Sequence, residues 1–321
     1  MRRYALARSL LDVPNGRSSH SIPTPRGGGV AFVITFLGSL FLLRASGGLA
    51  TTPVMAFAGA GSWVALVGFL DDHGHIPARW RLLAHFLGAA WVLAWSGGMA
   101  PLPIFGSVLD LGWLGNLAAL IYLVWLLNLY NFMDGIDGIA GIEAITVCVG
   151  GGLLLWISAL GENVWLLPVL LAASVAGFLF WNFPSAKIFM GDVGSGFLGM
   201  MLGALSIQAT WLVPKLFWCW TILLGVFVVD ATVTLVRRIL RGEKFYEAHR
   251  SHAYQYASRY HRSHQKVSLA TGVINLFWLL PVAALVAKGT LDGFTGVGIA
   301  YAPLVWTALK YKAGAPELQK I

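Results

Sequence analysis

Long apolar runs separated by short polar connections are the feature that most limits how this chain can fold. An α-helix needs about 20 mostly apolar residues to cross the roughly 30 Å core of a bilayer, and ten runs approach that length. Hydrophobic residues make up 57% of the 321 residues and charged residues only 11%. A soluble domain does not bury so much apolar surface, so we predict an all-α polytopic integral membrane protein. The predicted spans are 28–43, 54–70, 80–98, 114–129, 138–160, 164–181, 195–211, 214–236, 267–287 and 293–309.

The distribution of Lys and Arg predicts how these spans are oriented. One side of the membrane carries 19 of the 22 Lys and Arg residues. That side comprises both termini, the loops at 71–80, 130–137, 182–194 and 237–266, and Arg81 at the adjoining start of the span 80–98. The other side carries Arg44, Lys215 and Lys288. The positive-inside rule therefore places the first side in the cytoplasm.

The chain is predicted to be a single transmembrane domain over residues 1–321. Residues 1–27 form a basic cytoplasmic segment without the apolar core of a cleavable signal peptide, and 237–266 is the one long polar loop. Cys148 and Cys219 both lie in apolar runs. They indicate neither a disulfide framework nor a metal-binding cysteine pair.

The first polar motif on the predicted cytoplasmic side is "GFLDDHGHIPARW". Asp71 and Asp72 stand at the end of a predicted span. Two adjacent carboxylates at a helix C-terminus repel each other and the negative end of the helix dipole. A nearby cation or a proton-accepting role would offset that repulsion. The alternative is a solvated helix end, helped by Gly74 and Pro77.

The second motif is "NLYNFMDGIDGIAG", which places Asn128, Asn131, Asp134 and Asp137 three residues apart. On a helical turn this spacing brings side chains close to one face, where they can converge on one ligand. The glycines between them permit close approach of a bulky ligand to the backbone. An ordinary Asp-Gly turn before a capped helix is the alternative, but it does not require the repeated amides and carboxylates.

The third motif is "WNFPSAKIFMGDVGSGFLG", in which Asp192 lies just before an apolar helix. Oxygen donors such as Asn131 and Asp192 suit Mg²⁺ or Mn²⁺, which commonly keep water and substrate phosphate as further ligands. Asp192 alternatively only caps the following helix. Phe189 is a candidate for stacking on a base or for simple packing, and Asn182 is a further candidate substrate contact.

The fourth motif is the basic loop "RRILRGEKFYEAHRSHAYQYASRYHRSHQK", with eight Lys or Arg and four His residues. Its compact group His249, Arg250 and His252 is a candidate diphosphate site, because Arg can fork across two phosphate oxygens. Arg237, Arg238, Arg259 and Arg262 are interpreted as juxtamembrane charges that fix topology and attract anionic lipid.

Two acids, Glu143 and Asp230, fall within predicted spans. Ionisable groups inside a membrane are costly and are functional candidates by default. Asp230 precedes Arg237 by seven residues, so the two can share a helix face. A structural ion pair between them is therefore an equal alternative to a functional role.

Together, "SSHSIPTPRGGG", "DD", "NLYNFMDGIDGIAG", "FMGDVGSGFLG" and "AHRSHAYQ" resemble the ordered motifs of the polyprenyl-phosphate N-acetylhexosamine-1-phosphate transferase superfamily, glycosyltransferase family 4. The resemblance covers almost the whole chain. The wording of the first and last motifs is most similar to bacterial enzymes that transfer N-acetylglucosamine or N-acetylfucosamine 1-phosphate to undecaprenyl phosphate and initiate O-antigen synthesis. Members usually carry one more N-terminal helix, which would give eleven spans where we predict ten.

The resemblance implies specific roles for the candidate residues. Asn131 and Asp192 would hold the metal, Phe189 would stack on uracil, and the Asp137 loop would contact the nucleotide. His249 and Arg250 would contact the diphosphate or the sugar. Asp71 and Asp72 match the acidic pair of the family, for which a role as base or in activating phosphate is expected. For Asn128 and Asp134 we predict only that they shape the wall of the site.

The implied reaction joins a UDP-N-acetylhexosamine to undecaprenyl phosphate, with Mg²⁺ or Mn²⁺ as cofactor and UMP as product. The implied location is the bacterial inner membrane, with the site facing the cytoplasm. The lipid bilayer is a partner, a homodimer is a family expectation, and no nucleic-acid partner is expected.

Two other classes of membrane protein are alternatives to this superfamily. An ion-coupled transporter predicts acids near the midplane and two related halves, whereas the acids here gather at one face and no internal repeat is present. The CDP-alcohol phosphatidyltransferases also use aspartates and Mg²⁺. Their D-G-x-x-A-R pattern is missing, because "DGIDGIAG" is followed by Ile142.

Overall fold

The computed structural model describes residues 1–14, 20, 22–74, 76–243 and 249–316. Over these residues the chain forms fourteen α-helices and two short antiparallel strand pairs. The helices are α1 (Arg2–Ala7), α2 (Val30–Ala45), α3 (Thr51–His73), α4 (Ala78–Ser96), α5 (Gly112–Met133), α6 (Ile139–Ser158), α7 (Leu166–Asn182), α8 (Asp192–Leu212), α9 (Leu216–Leu223), α10 (Gly225–Leu240), α11 (Ala253–His261), α12 (His264–Ile274), α13 (Leu280–Lys288) and α14 (Gly293–Lys310). The strands are β1 (Leu11–Asp12), β2 (Thr24–Pro25), β3 (Leu102–Ile104) and β4 (Ser107–Leu109).

The predicted all-α multi-pass architecture is confirmed, and each of the ten predicted spans coincides with one helix or with consecutive helices. Among the described residues, six segments are long and apolar enough to cross a membrane by themselves. A seventh is the pair α9 and α10, which is bent by 68°. One π-helical turn, Asn275–Leu279, joins α12 to α13, so that these two form a single long segment. The number of crossings remains a prediction.

Helix α8 lies at the centre of the bundle. Almost all of its side chains are buried, and it packs along both α3 and α5. Glycines permit this close approach: a Cβ at Gly199 would lie 2.4 Å from the Leu126 carbonyl oxygen, and one at Gly68 would lie 2.6 Å from the Asp192 backbone. Small residues at such crossings let membrane helices pack backbone to backbone. The position of Asp192 is thereby fixed by the packing of three helices.

Local chemistry explains several helix ends. Asp292 caps α14, because its carboxylate accepts hydrogen bonds from the amides of Phe294 and Thr295. Gly97 and Gly289 end α4 and α13 in the left-handed conformation that glycine adopts at little cost. Strands β1 and β2 bring the N-terminal segment to the site, since the Phe189 amide donates to the Pro25 carbonyl oxygen at 2.8 Å.

Candidate active site

The ends of six helices meet around one polar cavity of about 210 Å³. Its wall is formed by the last residues of α3, α5 and α7, the segments before α6 and α8, and the start of α12, with β1 and α11 adding one residue each. Side chains from helix ends that are distant in sequence therefore share one pocket. Seven predicted site residues line it: Asp72, Asn131, Asp134, Asp137, Asn182, Phe189 and Asp192.

The polar cavity concentrates negative charge. Five aspartates line it, whereas its cationic or imidazole groups are Arg26, His20 and His264. Burial raises the pKa of Asp134 well above its usual range, and the neighbouring charges of Asp192, Asp137 and Asp72 raise it further. A bound cation would relieve this repulsion. The cavity thus favours a positively charged ion or a metal-bound anion.

Asp72 holds the beginning of α8 in place. Its two carboxylate oxygens each accept a hydrogen bond at 3.2 Å, one from the Asp192 amide and one from the Val193 amide. A carboxylate satisfies free amides at a helix N-terminus and interacts favourably with the helix dipole. The side chain is 2% exposed, with the Arg26 guanidinium 3.9 Å away. Its observed contacts orient Asp192, and the predicted catalytic role stays a prediction.

Arg81 links the two acidic motifs. It hydrogen-bonds the Asp71 carboxylate and also reaches Asp192 Oδ2 at 3.3 Å. The Ile76 amide donates a second hydrogen bond to Asp71 at 2.8 Å. Arg81 was not among the predicted site residues. The available signal was its place in "PARWRLLAH", in the first turns of the helix that follows the acidic pair.

A second, mostly apolar cavity of about 360 Å³ adjoins the polar one. It runs between α3, α4, α5 and α8, with apolar walls that include Phe86, Trp125 and, from α10, Leu235. Polar side chains gather at one end of it: Asp71, Arg81, His85, Asn128, Asn131 and Asp192. Asn131 and Asp192 line both cavities, so the two spaces meet at these residues.

The four residues of the Asn and Asp series divide between the two cavities. Asn131 lies at the junction, where its Oδ1 accepts a hydrogen bond from Ser195 Oγ at 3.1 Å. Asn128 lines the apolar cavity, with its Nδ2 donating to the Val124 carbonyl at 2.7 Å. Asp134 and Asp137 line the polar cavity. Asn128 and Asn131 lie on α5, whereas Asp134 and Asp137 lie in the non-helical segment between α5 and α6, so the predicted helical spacing does not bring all four to one ligand position.

Asp137 and Asn182 fix the loop around the polar cavity. Asp137 accepts a hydrogen bond from the Ala186 amide at 3.0 Å and lies 3.3 Å from His264 Nδ1. Burial raises the pKa of Asp137, but these hydrogen bonds outweigh it and hold the pKa below its usual value. Asn182 accepts from the Gly138 amide and donates to the Ile188 carbonyl, both at 3.0 Å. Both side chains are therefore already engaged in shaping the pocket.

Phe189 stands at the mouth of the polar cavity with its ring against that of His20, at a centroid separation of 4.8 Å and nearly edge-on. The residues of "SSHSIP" other than His20 and Ile22–Pro23 lie outside the described residues. His20 and His264 are further cavity residues that the sequence analysis did not select. Both could have been recognised from their position in the sequence, since each follows a turn-rich or basic segment on the predicted cytoplasmic side.

The basic loop reaches the polar cavity through Gln255 and His264. His249, Arg250 and His252 do not line either cavity in the described part of the chain. The His252 ring instead lies between those of Phe132 and His249. Burial, followed by the nearby His252 and Arg238, lowers the pKa of His249 to about 3. At neutral pH it is uncharged, so it would meet a phosphate as a hydrogen-bond donor rather than as a cation.

The two acids within spans have partners among the described residues. Glu143 Oε2 accepts a hydrogen bond from Asn275 Nδ2 at 2.6 Å. Asp230 accepts hydrogen bonds from the start of α11. Arg237 donates to the Ala313 carbonyl at 2.7 Å. The predicted alternative, an ion pair between Asp230 and Arg237, is therefore not present.

These features define a class of protein: a multi-pass helical membrane protein whose oxygen-rich polar pocket opens, at the helix ends, onto an apolar cavity. A model described as glycosyl transferase family 4 matches residues 54–210, which include nearly all of α3 to α8. The chain belongs to this family, the polyprenyl-phosphate N-acetylhexosamine-1-phosphate transferases. The resemblance that the motifs predicted is thereby confirmed.

Curated relatives support the family assignment over most of the chain. A probable undecaprenyl-phosphate N-acetylglucosaminyl 1-phosphate transferase of Bacillus subtilis is 30% identical over 300 residues, covering 90% of this chain and 80% of the relative. A decaprenyl-phosphate N-acetylglucosaminephosphotransferase of Mycobacterium tuberculosis is 28% identical, covering 84% and 74%. A phospho-N-acetylmuramoyl-pentapeptide-transferase of Thermosynechococcus vestitus is 31% identical, covering 68% and 59%.

Proposed function

We propose that this protein transfers an N-acetylhexosamine 1-phosphate from a UDP-sugar to a polyprenyl phosphate, releasing UMP. One observation carries the proposal: a polar, acidic cavity and an apolar cavity meet at Asn131 and Asp192. A reaction between a water-soluble nucleotide and a membrane lipid requires two such spaces with a shared reacting centre. The names of the relatives, which include undecaprenyl and decaprenyl phosphate transferases, agree with it.

The polar cavity is suited to the nucleotide sugar. Phe189 offers an aromatic face or edge at its mouth, and the Asp137 loop supplies polar groups beside it. In this proposal Phe189 stacks on the uracil, which displaces the His20 ring from its present contact. The diphosphate then lies toward Asp192 and Asn131, where the two cavities join.

The apolar cavity is suited to the end of a polyprenyl phosphate. Its apolar walls match the isoprenoid chain, and its polar end presents Arg81 and His85 for the phosphate. The phosphate would also meet the Asp71 carboxylate. Since Arg81 contacts both Asp71 and Asp192, a phosphate that draws the guanidinium toward itself frees those carboxylates.

The proposed chemistry is a single in-line displacement. An oxygen of the lipid phosphate attacks the sugar-side phosphorus of the donor, a new P–O–P linkage forms, and the bond to the UMP oxygen breaks. The second pKa of a phosphate monoester is about 6, so the nucleophile is mostly ionised at neutral pH. Asp71 then serves as a modest base or a positioning group. Catalysis rests on alignment and on charge compensation by Arg81.

The residues at the junction fit Mg²⁺ or Mn²⁺. Asn131 and Asp192 would hold the ion, and when bound it would neutralise charge on the donor diphosphate. Hard oxygen donors and the crowding of carboxylates around Asp134 match such a cation. In the described residues no group of three or more His, Cys, Asp or Glu side chains is arranged to hold a metal. Substrate phosphate and water would therefore complete the coordination, as is usual for Mg²⁺.

The first prediction concerns the pH dependence of metal binding. Because the pKa of Asp134 is raised by burial and by neighbouring carboxylates, its proton competes with a cation. The apparent affinity for Mg²⁺ in the presence of UDP should therefore rise as the pH rises. Titration calorimetry with Mg²⁺ measures this. An Asp134→Asn variant should lose most of the pH dependence, and equal slopes for the variant and the wild type would contradict the assignment.

The second prediction concerns Arg81, which glutamine replaces with a shorter, uncharged polar side chain. Arg81→Gln should lower turnover about 10- to 100-fold, with a raised KM for polyprenyl phosphate and unchanged UDP binding. Arg79→Gln is the matched control, because Arg79 is two residues away and lies over the Trp80 ring. Steady-state kinetics at varied polyprenyl phosphate concentration measure the turnover and the KM of both variants. Equal effects of the two variants would remove Arg81 from the acceptor site.

The displacement itself has a stereochemical test. With a donor made chiral at the sugar-side phosphorus, one displacement inverts the configuration, whereas a covalent enzyme intermediate gives net retention. We expect inversion. Net retention would overturn the single-step mechanism while leaving the overall reaction intact.

The wider setting follows from the same proposal. The basic side of the helices faces the cytoplasm, where nucleotide sugars are found, and the protein lies in a bacterial inner membrane. The glycan is O-antigen or a related surface polymer, and the donor is one of the UDP-N-acetylhexosamines. A homodimer remains a family expectation.

Incubation of the purified protein with undecaprenyl phosphate, Mg²⁺ and a panel of UDP-sugars, with the lipid product identified by mass spectrometry, tests donor and acceptor together. No lipid product from any donor would overturn the proposed function.

A further inference from the structure

Asp230 is an acid that the proposed reaction does not use. It lies in α10 with 6% of its surface exposed, and it lines neither the polar nor the apolar cavity described above. A charged carboxylate at such a position requires compensation by several hydrogen bonds. The identity of its partners therefore indicates why an acid is placed there.

The partners of Asp230 belong mainly to the start of α11. Its Oδ1 accepts from the Ala253 amide and its Oδ2 from the Tyr254 amide, both at 2.9 Å. His252 Nδ1 lies 3.3 Å from Oδ1, and Thr234 Oγ1 donates to the same oxygen at 3.1 Å. The first amides of a helix have no partner within it and carry partial positive charge. Asp230 thus caps α11 from a different helix.

Helix α11 carries two residues that support the wall of the polar cavity. Tyr254 Oη donates to the Phe132 carbonyl at 2.9 Å, next to Asn131 in sequence. The same hydroxyl lies so close to Gly135 that a Cβ there would be 2.2 Å from it. Gln255 lines the polar cavity directly. Contacts from α11 therefore reach the chain on both sides of Asp134.

Helix α11 depends on contacts outside itself for its position. It has nine residues, and isolated helices of this length are marginal in water. Gln255 and His252 form a capping box at its start, and Asp230 provides the connection of that start to α10. Loss of that connection would let α11 shift relative to α5. A displacement of about 1 Å in a catalytic group costs as much as about 100-fold in rate.

We propose that Asp230 is a positioning residue for the reaction: by capping α11 it fixes Tyr254 and Gln255, and through them the wall that carries Asn131 and Asp134. The kinetic part of this inference rests on the proposed function. The structural part, that Asp230 holds α11, stands independently of which reaction the protein catalyses.

Three variants separate positioning from general stability. Asp230→Ala removes every acceptor, whereas Asp230→Asn keeps one oxygen for the α11 amides. Thr234→Val is the matched control, because it removes a hydrogen bond to the same carboxylate from within α10 and leaves the α11 amides bonded. Asp230→Ala should lower kcat/KM about 10- to 100-fold, with Asp230→Asn intermediate and Thr234→Val within about twofold of wild type.

Hydrogen exchange of the purified wild-type protein and its variants measures the local stability of α11, which an activity assay does not report. In Asp230→Ala the amides of residues 253–257 should exchange at least about tenfold faster, while those of α5 and α8 keep their protection. Unchanged exchange in α11 would overturn the capping role, even if the wild type showed no transferase activity. Wild-type kinetics in Asp230→Ala despite faster exchange would overturn the positioning role. Uniformly faster exchange throughout the bundle would also overturn it, because Asp230 would then be stabilising the whole fold.

Discussion

Replacement of Asp192 by Asn is expected to abolish metal-dependent turnover, lowering kcat by about 100-fold or more. Asp192 is one of two residues that line both cavities, and Arg81 Nη1 lies 3.3 Å from its Oδ2. An amide of the same shape keeps one oxygen but loses the negative charge that a divalent cation and Arg81 both require. Turnover with saturating lipid and donor, measured over a range of Mg²⁺ concentrations, provides the comparison.

A matched control makes the result for Asp192 specific. Glu162→Gln removes a carboxylate charge from an exposed loop after α6 that lines neither cavity, so its turnover should remain within about twofold of wild type. The melting temperature of Asp192→Asn should stay close to that of wild type, because the α8 amides are capped by Asp72 instead. Unchanged turnover in Asp192→Asn would remove this residue from the reacting centre.

Gly68→Ala is expected to disturb the site from α3, where Gly68 packs against the backbone of Asp192. A Cβ at Gly68 would lie 2.6 Å from the carbonyl carbon and oxygen of Asp192. Neither backbone can move aside without shifting α3 against α8, and such overpacking costs about 1–3 kcal/mol. We therefore expect a lower melting temperature together with a fall in turnover of about tenfold or more, since Asp192 moves with its backbone.

Gly38→Ala is the control for this substitution. Gly38 is also a glycine within a membrane helix, α2, but a Cβ there has no neighbour within 4 Å. Alanine stabilises a helix relative to glycine by about 1 kcal/mol, so this variant should be as stable as wild type or slightly more so. Thermal unfolding in detergent and the turnover assay compare the two variants. Equal behaviour would contradict the claim that contact between α3 and α8 sets the position of Asp192.

The architecture was predictable because the signals are local. Each apolar run of about 20 residues specifies one membrane segment, and all ten predicted runs coincide with helices. The break between α9 and α10 was not predicted, because the residues around it are apolar and the single Gly225 beside it is of a type common in unbroken membrane helices. It lies after Leu223 with neither a proline nor a polar residue to mark it, so the packing around it decides the bend.

Nine of the twelve predicted site residues line one of the two cavities, but their arrangement was not predictable from the sequence. Asn128 and Asn131 lie on α5, whereas Asp134 and Asp137 follow its end, and the division of this series between two cavities depends on how α4 and α8 pack against α5. Arg81 escaped selection because a basic residue near a membrane surface is usually a topology signal. The predicted alternative of an Asp230–Arg237 ion pair was wrong, because Asp230 accepts hydrogen bonds from a backbone helix end that no sequence spacing reveals.

The central claim is that nucleotide and lipid react where the polar and apolar cavities meet. Its most direct test is the release of UMP by the purified protein supplied with Mg²⁺ and a UDP-N-acetylhexosamine, with and without undecaprenyl phosphate. We predict UMP release that depends on the lipid, with one lipid-linked sugar diphosphate formed per UMP, and its loss in Asp192→Asn. UMP release that is independent of the lipid, or none at all from a folded protein given every UDP-N-acetylhexosamine in turn, would contradict the claim.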